Sequence, residues 1–143
     1  MADNYFQYAF CVKGTPQQIT KLRSMIDTEI ARQKREGIED GEEELCCQYC
    51  TDEQHNNYLH IYEDEAMTSL GPVVNIICRW QKAVQYKEGV IISGAYTCSK
   101  PRADEFGGVV ELCYRGKSYG FDPVGEAQSK LEALTAKPEK RRK

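Results

Sequence analysis

"CCQYCTDEQHNNYLH", residues 46–60, gathers three of the chain's seven cysteines and both of its histidines. Two interpretations of it lead to different folds. One reading is a zinc clamp in which Cys47 and Cys50 supply thiolates and His55 and His60 complete a tetrahedral set. The other is a β-hairpin of two runs, LCCQYC (45–50) and YLHIYED (58–64), joined by the polar TDEQHNN. If Leu45, Cys47 and Tyr49 share a buried face with Leu59 and Ile61, Tyr49 pairs with Leu59, Cys47 with Ile61 and Gln48 with His60. Side chains alternate along a strand, so Cys47 and Cys50 then point to opposite faces. His55 falls in the turn and His60 on the exposed face. A strong zinc signal would add a Gly-containing knuckle and a second well-spaced pair, and the stretch has neither. The hairpin is the reading adopted, with its cysteines behaving as small hydrophobes.

Outward from the hairpin the pattern is regular. Upstream, YFQYAFCVK (5–13) alternates Phe6, Tyr8, Phe10 and Val12 on one face, which predicts a strand. Thr15-Pro16-Gln17-Gln18 is a helix start with a capping box and Pro at the first position. Ile19, Leu22, Met25, Ile26 and Ile30 follow at helical spacing, so a helix should run to Lys34 or Arg35. Downstream, Thr68-Ser69-Leu70-Gly71-Pro72 opens a second helix. Its inward face is Val73, Ile76, Ile77, Trp80 and Val84, and Glu88-Gly89 ends the segment. Strands are expected at VIISGAYTC (90–98) and VVELCYR (109–115), joined by SKPRADEFGG. Gly116-Lys117 should turn the chain into SYGF, and Asp122-Pro123 should cap a short helix, EAQSKLEAL.

The order β-α-β-β-α-β predicts an α+β fold, a ferredoxin-like sandwich with a sheet ordered 4-1-3-2, extended by a C-terminal β-hairpin and a short helix. Residues 1–136 form one domain and 137–143 a basic tail. The formal net charge is −3. The tail KPEKRRK carries five basic residues and one acid, so the remaining chain carries −7 (−3 less the tail's +4). That balance opposes nucleic-acid binding by the body of the fold. No apolar stretch approaches the ~20 residues of a membrane span, and MADNYFQYAF lacks the features of a signal peptide, so a cytoplasmic protein is expected. No G-x-S-x-G, H-E-x-x-H or Gly-rich phosphate loop is present, and neither an enzyme nor a cofactor is expected.

Two surfaces are candidates for function. In the expected topology one end of the sandwich collects three segments: Glu39, Asp40, Glu42, Glu43 and Glu44; Glu63, Asp64 and Glu65; and the loop holding Arg102 and Phe106. Grouped carboxylates imitate phosphate charge, so this end suits a protein partner with a basic surface, and Phe106 is an aromatic of the kind that anchors interfaces. The second surface is the sheet face away from the helices, where Tyr58, His60 and Tyr62 stand as single-stranded RNA-binding domains place stacking aromatics. The same face suits self-association as a homodimer.

With TCSKPRADEFGG (97–108) and the βαββαβ order, the chain resembles small accessory proteins of phages and integrative elements, among which anti-CRISPR and other anti-defence inhibitors are found. The resemblance implies a compact, acidic, non-enzymatic inhibitor of a host nucleic-acid-handling or defence complex. It assigns no functional residue.

Overall fold

The computed structural model describes residues 4–37, 44–52, 55–66, 70–98 and 107–140. In chain order these form β1 (Asn4–Lys13), α1 (Pro16–Glu36), β2 (Gln48–Asp52), β3 (His55–Ala66), α2 (Gly71–Val84), β4 (Val90–Cys98), β5 (Gly107–Tyr114), β6 (Lys117–Phe121) and α3 (Pro123–Lys140). The six strands make one antiparallel sheet ordered β2-β3-β1-β4-β5-β6. Read from the β6 edge, the first four strands stand in the order β4-β1-β3-β2.

Helix α1 starts as the sequence predicts. Thr15 Oγ1 accepts from the Gln18 amide at 3.1 Å and Gln18 Oε1 accepts from the Thr15 amide at 2.9 Å, which satisfies two donors that a helix start leaves open. Ile19, Leu22 and Ile26 are buried, and so is Gln33, one further step along the same stripe. Helix α2 buries Val73, Val74, Ile76, Ile77, Trp80 and Gln81. Both helices lie on the sheet face carrying Phe6, Tyr8, Phe10, Val12, Leu59, Ile61, Val90 and Ile92, and these side chains form the core. Buried polar atoms within it are partnered: Trp80 Nε1 donates to the Gln18 carbonyl at 2.8 Å and Tyr86 Oη to the Lys13 carbonyl at 2.5 Å.

Several boundaries differ from expectation. The hairpin register is offset by two residues: Gln48 pairs with Tyr62, Tyr49 with Ile61 and Cys50 with His60. An even offset keeps every side chain on its expected face, whereas an odd one would have inverted them. Leu45, Cys46 and Cys47 precede β2, and side chains hold this segment in place of a ladder. Gln33 Oε1 accepts from the Leu45 amide at 2.9 Å, and Tyr8 Oη donates to the Cys46 carbonyl at 2.5 Å. His55 lies in β3 opposite Asp52 and so is a strand residue, because the connection between β2 and β3 is shorter than the expected seven-residue turn.

Thr68 and Ser69 lie outside the described residues. The N-cap of α2 is Leu70, without a side-chain bond, and α2 ends at Gln85 in the left-handed region, before Glu88-Gly89. The β5–β6 turn is Arg115-Gly116, not Gly116-Lys117: both have positive φ (52° and 82°) and Tyr114 pairs with Lys117. Two positive φ values give the turn whose twist matches a two-residue hairpin. The last helix is not short. It spans 18 residues and takes up the first part of the basic tail, because Ala, Leu, Glu, Gln and Lys dominate it from Glu126 onward.

Candidate functional site

Strand registers bring the starts of β1, β2 and β5 and the ends of β3 and β4 to one end of the sheet. Phe6 pairs with Ala66, Gln48 with Tyr62, Asn4 with Cys98 and Tyr96 with Gly107. The last turns of α1 reach the same end, where the buried Gln33 amide holds Leu45. Backbone geometry therefore collects the acidic 63–65 run, Glu44 and both flanks of the 99–106 connection. Glu44 is exposed and Glu63 half-buried. Asp64 and Glu65 are placed in β3 by the backbone alone, and Glu42, Glu43, Arg102 and Phe106 lie outside the described residues.

The negative field at this end reaches the thiols beneath it. Burial pushes the Cys46 thiol up, and the Glu44 and Glu63 carboxylates push it further. Cys47 rises to about 12, first through burial and then through Glu63, Cys46 and Asp27. Asp27 accepts from Tyr49 Oη at 2.8 Å, which ties the exposed side of α1 to β2. Two acidic residues distant in sequence, Glu44 and Glu63, thus act on the same sulfur.

The uncovered sheet face is the second surface. Odd positions of β1 lie there, and pairing aligns Ala9 with Tyr62, Cys11 with His60 and Lys13 with Tyr58. The His60 and Tyr62 rings are 5.2 Å apart at 42°, and Tyr58 Oη is 2.7 Å from Cys11 Sγ. Gln7, Ala9, His60, Tyr62, Glu63, Ser93 and Ala95 border a shallow concavity of about 630 Å³ at the centre of this face.

The zinc set is only half assembled. Cys50 and His60 pair across β2 and β3, with Sγ 3.8 Å from Nδ1 on the open face. Cys47 instead packs against the core from before β2, and the His55 side chain is not described. Among the described residues no three His, Cys, Asp or Glu side chains converge as metal ligands. No described helix is long and apolar enough to cross a membrane.

Two contributors, Gln33 and Asp27, are absent from the sequence-based expectations. Gln33 carried a usable signal, a polar residue on the apolar stripe of α1, which marks a buried hydrogen bond. Asp27 carried none, since it reads as ordinary helix surface. Cys11, expected from the alternation of β1 on the open face beside Tyr58, His60 and Tyr62, stands there opposite His60. No protein-family model, curated protein or solved structure matches the chain.

Proposed function

We propose that the protein is a small, non-enzymatic binding protein whose acidic end docks on the basic surface of a protein partner, of the nucleic-acid-handling or defence type that a phage-borne inhibitor would block. Its first four strands and two helices are assigned to the ferredoxin-like arrangement, with β5, β6 and α3 as an extension. The observation that carries this reading is the β2–β3 register, Gln48 opposite Tyr62, which brings the segments of Glu44 and Glu63 to one end of the sheet. Glu42, Glu43, Asp64 and Glu65 would extend the acidic surface, with Arg102 and Phe106 on the neighbouring connection. Such a surface speeds encounter with a basic partner and repels acidic ones. Capture from native-host lysate, comparing the unaltered chain with Glu44→Lys/Glu63→Lys, tests it. A basic partner recovered by the first and lost by the second supports the reading, and equal recovery contradicts it.

The stacked His60 and Tyr62 beside a central concavity favour a second reading, single-stranded RNA on the open face. It predicts binding at low salt that Tyr62→Ala abolishes. Absence of any shift at low salt removes it.

A further inference from the structure

Helix α3 leaves the sheet without covering it. A single residue, Asp122, separates β6 from Pro123, and the Glu126 amide bonds the Asp122 carbonyl at 2.9 Å. Proline fixes its own φ at a value suited to the first helical position, and the one-residue connection starts α3 directly at the end of β6. Although α3 meets β5, every residue from Glu126 to Ala136 is exposed. Along the helix Val124, Ala127, Leu131 and Leu134 recur at spacings of three and four, which aligns them in one apolar stripe. Leu131 is 61% exposed and Leu134 51%.

The open face of β4–β6 is an apolar surface of the complementary kind. Pairing lines up Ile91, Leu112 and Tyr119 in one row and Ser93, Val110 and Phe121 in the next. Ile91 is 67% exposed, Tyr119 48% and Phe121 45%. The opposite face of these strands carries the buried Ile92 and Cys113, so both faces of this half-sheet are apolar.

We infer that two copies of the chain pair, the α3 of each lying across the open β4–β6 face of the other. Three features favour a second copy as the occupant. One chain carries both a projecting apolar helix and an uncovered apolar sheet, so a two-fold axis satisfies all four surfaces and closes the assembly. The 18-residue helix is about 27 Å long, matching the ~30 Å of nine-residue β4. The exposed apolar side chains of stripe and face together present roughly 700 Å² per copy, divided between the two surfaces and near the ~800 Å² per partner of a stable interface. The pairing draws on none of the acidic residues of the docking reading, so it stands or falls independently of that reading.

Sedimentation velocity of the full chain from about 1 to 100 μM, a range bracketing ordinary dimer affinities, tests the pairing. The unaltered chain is expected to sediment as a dimer. Leu131→Glu and Ile91→Glu should each weaken it by at least about tenfold, in keeping with loss of a central apolar contact, while circular dichroism shows the fold retained. Mixing the two variants should restore a heterodimer, since the intact helix of the Ile91→Glu copy then meets the intact face of the Leu131→Glu copy. A monomer throughout the range overturns the inference. So does a dimer that Ile91→Glu leaves unchanged, which would indicate helix pairing alone, or a mixture that fails to associate.

Discussion

The side-chain amide of Gln81 closes on the β5–β6 turn: its Oε1 accepts from the Gly116 amide at 3.1 Å while its Nε2 donates to the Cys113 carbonyl at 2.9 Å. Gln81 is 1% exposed, so both backbone groups depend on it for partners that water would otherwise supply. Gln81→Ala should destabilise the fold by about 3 kcal/mol, the order expected for two buried backbone groups left unpaired. Urea unfolding at neutral pH measures this, and a loss under about 1 kcal/mol would mean that water replaces the amide.

Gly94 faces Phe6 across β1 and β4, and a Cβ at this position would stand 2.5 Å from Phe6 Cζ. Real carbon contacts do not close to that distance, so the ring must move. Gly94→Ala should cost about 1–3 kcal/mol through overpacking. Phe6→Leu in the same chain should return part of the loss, a coupling that a double-mutant cycle reads directly.

Alkaline pH should weaken the fold through its thiols. Cys47 is raised from 9.0 to about 12 by burial and by the nearby Glu63, and Cys113 is raised by burial and by Cys78. A folded pKa above the unfolded one means that the folded chain holds its proton longer. This contribution is therefore whole below about pH 9 and is lost as pH rises toward about 12. The urea midpoint should fall between about pH 8.5 and 10.5, and less steeply in Cys47→Ala. A flat midpoint over that window would contradict the assigned burial.

The same burial predicts a graded pattern of thiol labelling. Cys11 and Cys50 are exposed and Cys113 is buried. Iodoacetamide at about pH 8 should alkylate the first two while sparing Cys47 and Cys113 until the chain is unfolded, since only an accessible thiolate reacts. Peptide mapping reads the order, and early alkylation of Cys113 would count against the core.

How far the sequence carries can be judged from single residues. Thr15 and Gln18 announce the start of α1 because a capping box is a local device, complete within four positions. The faces of β2 and β3 follow from alternation, but Cys50 meets His60 and not Tyr58, because the alternation fixes parity and leaves even offsets open. Choosing among those offsets required Gln33 and Tyr8 to capture the backbone of 45–46, two contacts made by residues far away in the chain. The Arg115-Gly116 turn was missed by one position because Gly tolerates either turn place, while Arg gives no sign of a positive φ. Glu44 and Glu63 were legible as neighbours once the strand order was inferred. The stripe of α3 was present in the spacing of Val124, Leu131 and Leu134, yet its exposure depends on the direction in which α3 leaves β6, which spacing does not reveal.

If the acidic end does the binding, association with the captured partner should depend on salt. For the unaltered chain the association rate should fall on the order of tenfold from low salt to physiological ionic strength, as electrostatic steering is screened. With Glu44→Lys/Glu63→Lys that dependence should flatten, and the rate at low salt should drop toward the unsteered value. An association rate insensitive to salt, or one that the two reversals leave unchanged, would mean that the acidic end does not steer binding.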